Sequence, residues 1–193
     1  MRQIYRSYPA GDQPAPGEYR TCPHCRVELV VSEIDHRLRA ACPKCGFIHF
    51  RNPSPTVSLV IVKEDQVLLG KRGGEPGPGK WATPSGYIEY EDDFLTTGIR
   101  EAKEETGLDV EIDSILNVTS SFISPAYHFL NIYLLARVVG GELSAGDDLG
   151  TAAWFPLAGP YPELAFQEDA DILAAYASGK LKGLPVDAAF ARM

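Results

Sequence analysis

The stretch Gly86-Tyr-Ile-Glu-Tyr-Glu-Asp92-Asp93-Phe-Leu-Thr-Thr-Gly98-Ile-Arg100-Glu101-Ala102-Lys-Glu104-Glu105-Thr-Gly107-Leu108 decides how this chain is read. Asp92 and Asp93 sit where a helix N-terminus favours negative charge, and Gly107 stands where a C-terminal glycine belongs. A helix is therefore expected from about Asp92 to Thr106. Within it Glu101, Glu104 and Glu105 fall at i, i+3 and i+4 and project from one face. Three stacked carboxylates repel one another and weaken an isolated helix. A hard divalent cation removes the penalty, because Mg²⁺ and Mn²⁺ prefer carboxylate oxygens. Arg100, next to the cluster, is suited to hold a carboxylate by bidentate hydrogen bonding. Taken alone, the same residues also fit a solvated acidic face. Gly98 weakens the helix by roughly 1 kcal/mol relative to Ala, or else permits close packing.

Working outward, Val57–Lys63 reads as a strand, Glu64-Asp65 as a turn and Gln66–Lys71 as the returning strand. The run Gly73-Gly-Glu-Pro-Gly-Pro-Gly79 is a loop by composition. Beyond the helix, strands are expected at about 110–122, 127–139 and 153–155, and a second helix at about 168–178. Strands interleaved with two helices imply a mixed α/β sandwich. The prolines of Asn52-Pro-Ser-Pro55 hold the backbone extended and mark a boundary. Upstream lie a cysteine-containing unit at 21–51 and a Pro- and Gly-rich lead at 1–20, expected to be poorly ordered.

All four cysteines fall in two pairs, Cys22-Pro-His-Cys25 and Cys42-Pro-Lys-Cys45, separated by 16 residues. This is the spacing of a four-thiolate zinc site, in which each knuckle offers two sulfurs to one tetrahedral ion. Disulfides fit poorly without a secretion signal, and a redox pair is expected singly beside a βαβ pattern. Four thiolates close the coordination sphere, so the Zn²⁺ is expected to be structural. Gly46 suits a knuckle turn, residues 26–41 are long enough for a short hairpin, and His24 and His49 are expected at the surface or in packing.

With 193 residues, 45% of them hydrophobic, the chain can build one ordinary core plus a small module. Its formal net charge of −8, from 26 acidic and 18 basic residues, disfavours sequence-independent nucleic-acid binding. No apolar run approaches the roughly 20 residues that span a bilayer, and the first 20 residues lack the hydrophobic stretch of a signal peptide. A cytoplasmic location is the expectation.

The segment from Gly86 to Leu108 resembles the Nudix box: a glycine, five residues, a glutamate, seven residues, then Arg-Glu-apolar-x-Glu-Glu-x-Gly-apolar. Gly86 takes the first position, and Arg100, Glu101, Ala102, Glu104, Glu105, Gly107 and Leu108 match the second half in order. Trp81-Ala-Thr-Pro84-Ser-Gly86 is similar to the family's usual approach to the box. Asp92 stands where the box has its first glutamate, Ser85 where a glycine usually precedes Gly86, and Glu91 where a glycine precedes the acid. The resemblance implies an α/β/α sandwich with a mixed sheet over Pro55 to about Leu184, preceded by a zinc ribbon. It implies metal-dependent hydrolysis of a nucleoside diphosphate derivative, with Glu101, Glu104 and Glu105 carrying Mg²⁺ or Mn²⁺ and Arg100 beside them in the catalytic set. The general base stays open between Glu101 and the loop acids Asp147 and Asp148, which also read as a solvated turn. Arg72, Gly86 and Tyr87 are expected at the substrate, and Tyr87, Phe122, Tyr127 and Phe129 are candidates either for stacking on a base or for core. Family members are often homodimers.

Zinc ribbon and Nudix domain also occur together in NADH pyrophosphatases. Their Ser-Gln-Pro-Trp-Pro-Phe-Pro-like segment is not matched by Thr119-Ser-Ser-Phe-Ile-Ser-Pro-Ala-Tyr-His128. The compact ribbon, the Arg51-Asn-Pro-Ser-Pro55 junction and Glu163-Leu-Ala-Phe166 before a helix are more similar to a Nudix group acting on ADP-ribose or FAD. ADP-ribose is the expected substrate class. The alternatives are an NADH pyrophosphatase and a non-catalytic nucleotide-binding module; the intact glutamate set weighs against the second and Asp92 weakly for it. A ribbon that tethers nucleic acid is a further rival, but Arg26, Arg37 and Arg39 are offset by Glu28, Glu33 and Asp35. A scaffold role for the ribbon is expected instead.

Overall fold

A computed structural model describes residues 1–8, 19–125, 127–146, 149–187 and 189–191. Its elements are β1 (Ile4–Arg6), β2 (Val30–Ile34), β3 (Arg37–Ala41), β4 (Ile48–His49), β5 (Ser54–Lys63), β6 (Gln66–Arg72), β7 (Trp81–Ala82), β8 (Ser85–Tyr87), α1 (Phe94–Thr106), β9 (Leu108–Phe122), β10 (His128–Gly141), β11 (Leu149–Pro156), α2 (Gln167–Ala177) and β12 (Leu184–Pro185). They fall into two compact units, residues 1–7 with 54–193 and residues 8–53. No helix among the described residues is long and apolar enough to cross a membrane.

The larger unit is built on one mixed sheet in the order β1-β9-β10-β5-β6-β11, with β12 on β9, β7 on β6 and β8 on β5. Strand β5 explains why the sheet is covered on both faces. Its Val57, Leu59 and Ile61 pack with Leu95 and Ala102 of α1, whereas Val60 joins Tyr133 of β10 and Ile172 and Leu173 of α2. A strand apolar on both faces must be buried on both, so one helix lies on each side. The expected α/β/α sandwich is the observed architecture.

Local signals set the element ends. Asp93 caps α1, its carboxylate accepting from the N–H of Leu95 at 2.8 Å and of Thr96 at 3.0 Å. The helix therefore starts at Phe94, two residues after Asp92, where charge alone placed the start. Gly107 ends it at φ 72°, a left-handed conformation that glycine adopts without penalty. Gly98 serves close packing: a Cβ there would lie 2.9 Å from Leu134 Cδ1 and 3.3 Å from Leu59 Cδ2. Within the lead expected to be poorly ordered, Ile4–Arg6 instead pair in parallel with Ser120–Phe122 at the sheet edge; residues 9–18 lie outside the described residues.

In the smaller unit β2 and β3 form the expected hairpin, turning at Asp35 and His36, both at positive φ. Each cysteine pair makes the same knuckle. Arg26 N–H donates to Cys22 O and Gly46 N–H to Cys42 O, and Arg26 and Gly46, each just past its pair, share positive φ.

Candidate active site

The face of α1 carrying three carboxylates divides by burial. Glu101 and Glu105 are buried, while Glu104 is exposed. Arg100 bridges the set, its Nη1 donating to Glu101 Oε1 at 2.8 Å and Glu104 Oε2 at 2.9 Å, with its Nε 3.4 Å from Asp92 Oδ2. One guanidinium thus serves three carboxylates, rather than one in the bidentate fork expected from sequence, because its neighbours at i+1 and i+4 compete for it. Glu105 is fixed from outside the helix by the backbone N–H of Ser85, which donates to Oε2 at 2.9 Å. Gly86 completes the arrangement by having no side chain. A Cβ at this position would lie 2.0 Å from Glu101 Cδ and 2.1 Å from Glu101 Oε1.

These groups open onto a cavity of about 290 Å³, lined among others by Arg72, Gly86, Tyr87, Arg100, Glu101 and Glu105. Six of the seven residues expected in the catalytic and substrate sets therefore meet at one place, and the seventh, Glu104, is tied in through Arg100. Arg72 braces the following loop, donating from Nε to Pro76 O at 2.8 Å, and its guanidinium lies 5.3 Å from the centre of the Phe166 ring. Of the four stacking candidates, Tyr87 and Phe129 reach the cavity, edge to face at 6.1 Å. Phe122 and Tyr127 are not among its lining residues; Phe122 stacks on His128 at 3.8 Å and Tyr127 leans on Phe129. Asp147 and Asp148 lie outside the described residues.

Sequence reasoning missed the far wall of the cavity. The segment 163–165 runs beside Trp81, with Ala165 N–H donating to Trp81 O at 2.7 Å, and so delivers Phe166 and Glu168 to the cavity. Glu168 is 4% exposed, and burial raises its pKa above the usual carboxylate range. Asp169 turns the other way into the core. Its carboxylate accepts from Thr83 N–H and Thr83 Oγ1 at 3.1 Å each and from Tyr133 OH at 2.7 Å, and burial lifts its pKa to about 6. In the sequence the two acids read as ordinary charges at a helix start; only the position of α2 distinguishes them.

The smaller unit gathers its four cysteines into a candidate metal site. The four cysteine sulfurs lie within 4.8 Å of one another, with separations of 3.5 Å for Cys22–Cys45, 3.4 Å for Cys25–Cys42 and 3.8 Å for Cys25–Cys45. A tetrahedron with Zn–S of about 2.3 Å has sulfur–sulfur edges of about 3.8 Å, so the cluster fits Zn²⁺. None of the four cysteines is in a disulfide, so all four sulfurs are available to a metal. His24 packs on Phe47 and His49 on Tyr19, as expected for residues that are not ligands.

The NUDIX domain family model matches residues 52–176. The chain belongs to the Nudix family. It is a Nudix hydrolase whose box holds the carboxylates described above. It is 38% identical over 121 residues to an ADP-ribose pyrophosphatase of Methanocaldococcus jannaschii, covering 62% of this chain and 71% of that protein. It is 30% identical over 139 residues to the NAD-capped RNA hydrolase NudC of Pseudomonas aeruginosa, covering 72% of this chain and 48% of that one. The chain thus spans about half the length of this NudC relative. Among solved structures, a Nudix hydrolase from Nitrosomonas europaea superposes with a TM-score of 0.73 at 27% identity, over 84% of this chain and 92% of that one.

Proposed function

We propose that this chain hydrolyses the diphosphate linkage of a nucleoside diphosphate derivative, ADP-ribose first among them, with a divalent cation held by Glu101, Glu104 and Glu105. The observation that carries this reading is the meeting of Glu101, Glu105, Arg100 and Arg72 on one cavity, with Glu101 occupying the space that Gly86 leaves. The donor set fits Mg²⁺ or Mn²⁺, being made of hard carboxylate oxygens. Such an ion, when bound, neutralises phosphoryl oxygens and lowers the pKa of a water. Arg100 and the Ser85 N–H hold the three glutamates in place before the substrate arrives. Arg72, which lines the cavity, is the residue we assign to a phosphate, and Tyr87 and Phe129 are the aromatic residues we assign to a base; their presence in the lining supports this. Water adds to one phosphorus and the other phosphate leaves, so ADP-ribose yields AMP and ribose 5-phosphate. Glu101, buried beside Arg100, is the base we favour. The thiol cluster is assigned a structural Zn²⁺.

The NudC likeness supports a second reading, an NADH or NAD-capped RNA substrate. The net charge of −8 weighs against the RNA. A screen of the purified protein with Mg²⁺ or Mn²⁺ separates these readings. It covers ADP-ribose, FAD, NADH, nucleotide sugars and nucleoside triphosphates, with products read by phosphatase-coupled phosphate release. Turnover of ADP-ribose, reduced about 100-fold or more in Glu104→Gln, is expected. Faster turnover of NADH moves the assignment to the second reading. No turnover of any of them with either metal leaves a nucleotide-binding module instead.

A further inference from the structure

Two of the box carboxylates meet the segment that precedes α1. Ser85 N–H donates to Glu105 Oε2 at 2.9 Å, and the bare Gly86 leaves room for the Glu101 carboxylate. Where that segment lies therefore decides where both carboxylates can lie. β8 spans only Ser85–Tyr87, and its pairing with β5, Ser58 to Ser85 and Val57 to Gly86, supports it from one side. A strand this short gains little from pairing alone.

The other support comes from α2. Thr83, 3% exposed and two residues before Ser85, gives both its donors to Asp169: its N–H reaches Oδ2 and its hydroxyl Oδ1, each at 3.1 Å. Asp169 is 1% exposed, and a carboxylate that far from water is costly unless donors surround it. Tyr133 OH supplies a third donor at 2.7 Å. The two hydroxyls can rotate to other partners, but the Thr83 N–H cannot, and buried groups of this kind are kept paired. The contact closes a seam that begins at Trp81, whose N–H donates to Glu163 O at 2.9 Å and whose carbonyl accepts from Ala165 N–H at 2.7 Å. Only Pro84 separates Thr83 from Ser85. Its ring fixes its φ, and its carbonyl accepts from Leu59 N–H at 2.8 Å. So short and stiff a link passes a displacement of Thr83 on to the Ser85 N–H.

We infer that Asp169 is a positioning residue of the hydrolytic site, acting through Thr83 on Ser85 and Gly86 to hold Glu105 and Glu101 in the places where they take a cation. The inference deepens the reading given above and rests on it for the cation, whereas the geometry is tested without one. Amide hydrogen exchange by NMR, on the intact metal-free protein, follows the Ser85 N–H. EPR titration with Mn²⁺ alone reads the affinity of the box. Asp169→Leu removes the acceptors, and Asp169→Asn keeps an oxygen for the Thr83 N–H while its NH₂ turns to the two hydroxyls. Ile172→Val loosens the packing of the same helix without touching Thr83 and controls for a merely structural effect. In Asp169→Leu, Ser85 should exchange at least about tenfold faster than in the wild type, beyond any change at Ile132 in the sheet, and Mn²⁺ should bind at least about tenfold more weakly. Asp169→Asn and Ile172→Val should stay within about twofold of the wild type in both. Where Asp169→Leu does not fold, Thr83→Val, which loses only the hydroxyl bond, should move both readings the same way by about threefold. Wild-type exchange at Ser85 in the folded variant overturns the inference, and so does an Mn²⁺ affinity that falls equally in Ile172→Val. A wild type that binds no Mn²⁺ overturns the divalent-cation reading instead, and exchange at Ser85 then decides the inference by the same thresholds.

Discussion

Gly86→Ala tests whether the box glycine is there to admit a carboxylate. The added Cβ would lie 2.0 Å from Glu101 Cδ, whereas ordinary contact begins near 3.4 Å, so the carboxyl carbon must retreat by about 1.4 Å. The backbone at Gly86 is not in the left-handed region, so alanine adds no dihedral strain. The obstruction is the far end of a flexible side chain, and the helix itself need not move. Folding should therefore lose no more than about 2 kcal/mol, chiefly the Arg100–Glu101 hydrogen bond. Catalysis should lose far more, since a misplacement of about 1 Å costs on the order of 100-fold. Steady-state kinetics on ADP-ribose at saturating Mg²⁺, set beside urea unfolding of the same preparations, reads the two effects separately. A folded Gly86→Ala enzyme with kcat within about threefold of the wild type would refute the reasoning.

Three further outcomes follow from the packing and the charges. Gly98→Ala gains about 1 kcal/mol of helix propensity but drives a methyl to 2.9 Å from Leu134, and overpacking of this kind costs about 1–3 kcal/mol. A net loss near 1 kcal/mol in urea unfolding is expected, and a more stable variant would show that the helix–sheet spacing is not set by this glycine. Asp169 has its pKa raised by burial from 3.8 to about 6, so its contribution to stability is fullest below its unfolded value and is lost as pH rises through about 6. Burial raises Glu168 in the same direction, whereas the capping of Thr96 lowers Asp93 and works oppositely. Relative to Asp169→Asn, the wild type should lose up to roughly 3 kcal/mol between about pH 4 and pH 7. A difference that stays flat across that range contradicts the burial argument. Finally, elemental analysis should find about one zinc per chain, lost in Cys45→Ser; retention of zinc by that variant would move the ion elsewhere.

The parts of the fold legible in the sequence were those written in short-range pattern. The glycine stop of α1, the β5–β6 hairpin and the two cysteine knuckles each depend on residues a few positions apart, whereas charge alone put the helix start two residues early and did not single out Asp93 as its cap. The box glutamates were legible for the same reason, as helical spacing puts them on one face whatever the rest of the chain does. The far wall of the cavity was not. Asn131 sits in a strand among β-branched and aromatic residues, and nothing in that run shows that it lies against Ser58, 73 positions away. Strand Ile4–Arg6 was hidden likewise, because a three-residue edge strand is made by its neighbour and carries no pattern of its own. Phe122 and Tyr127 failed as cavity residues because an aromatic in a strand gives no sign of which surface it will meet.

Two of the three departures from the family pattern, Ser85 and Asp92, find a physical answer in the same geometry. Ser85 replaces a glycine, yet what the site takes from that position is its backbone N–H, donated to Glu105, and any residue except proline supplies one. Asp92 is a methylene shorter than glutamate, and its carboxylate ends 3.4 Å from Arg100 Nε rather than among the box glutamates. It therefore acts on the arginine that holds them. A shorter acid suffices there, because the guanidinium already has Glu101 and Glu104 at 2.8 and 2.9 Å and needs only a counter-charge at its other side. Ser85 meets a box carboxylate through its backbone and Asp92 acts through Arg100, and this is why these departures weigh little against hydrolysis, whereas at Gly86 an added Cβ would meet Glu101 itself.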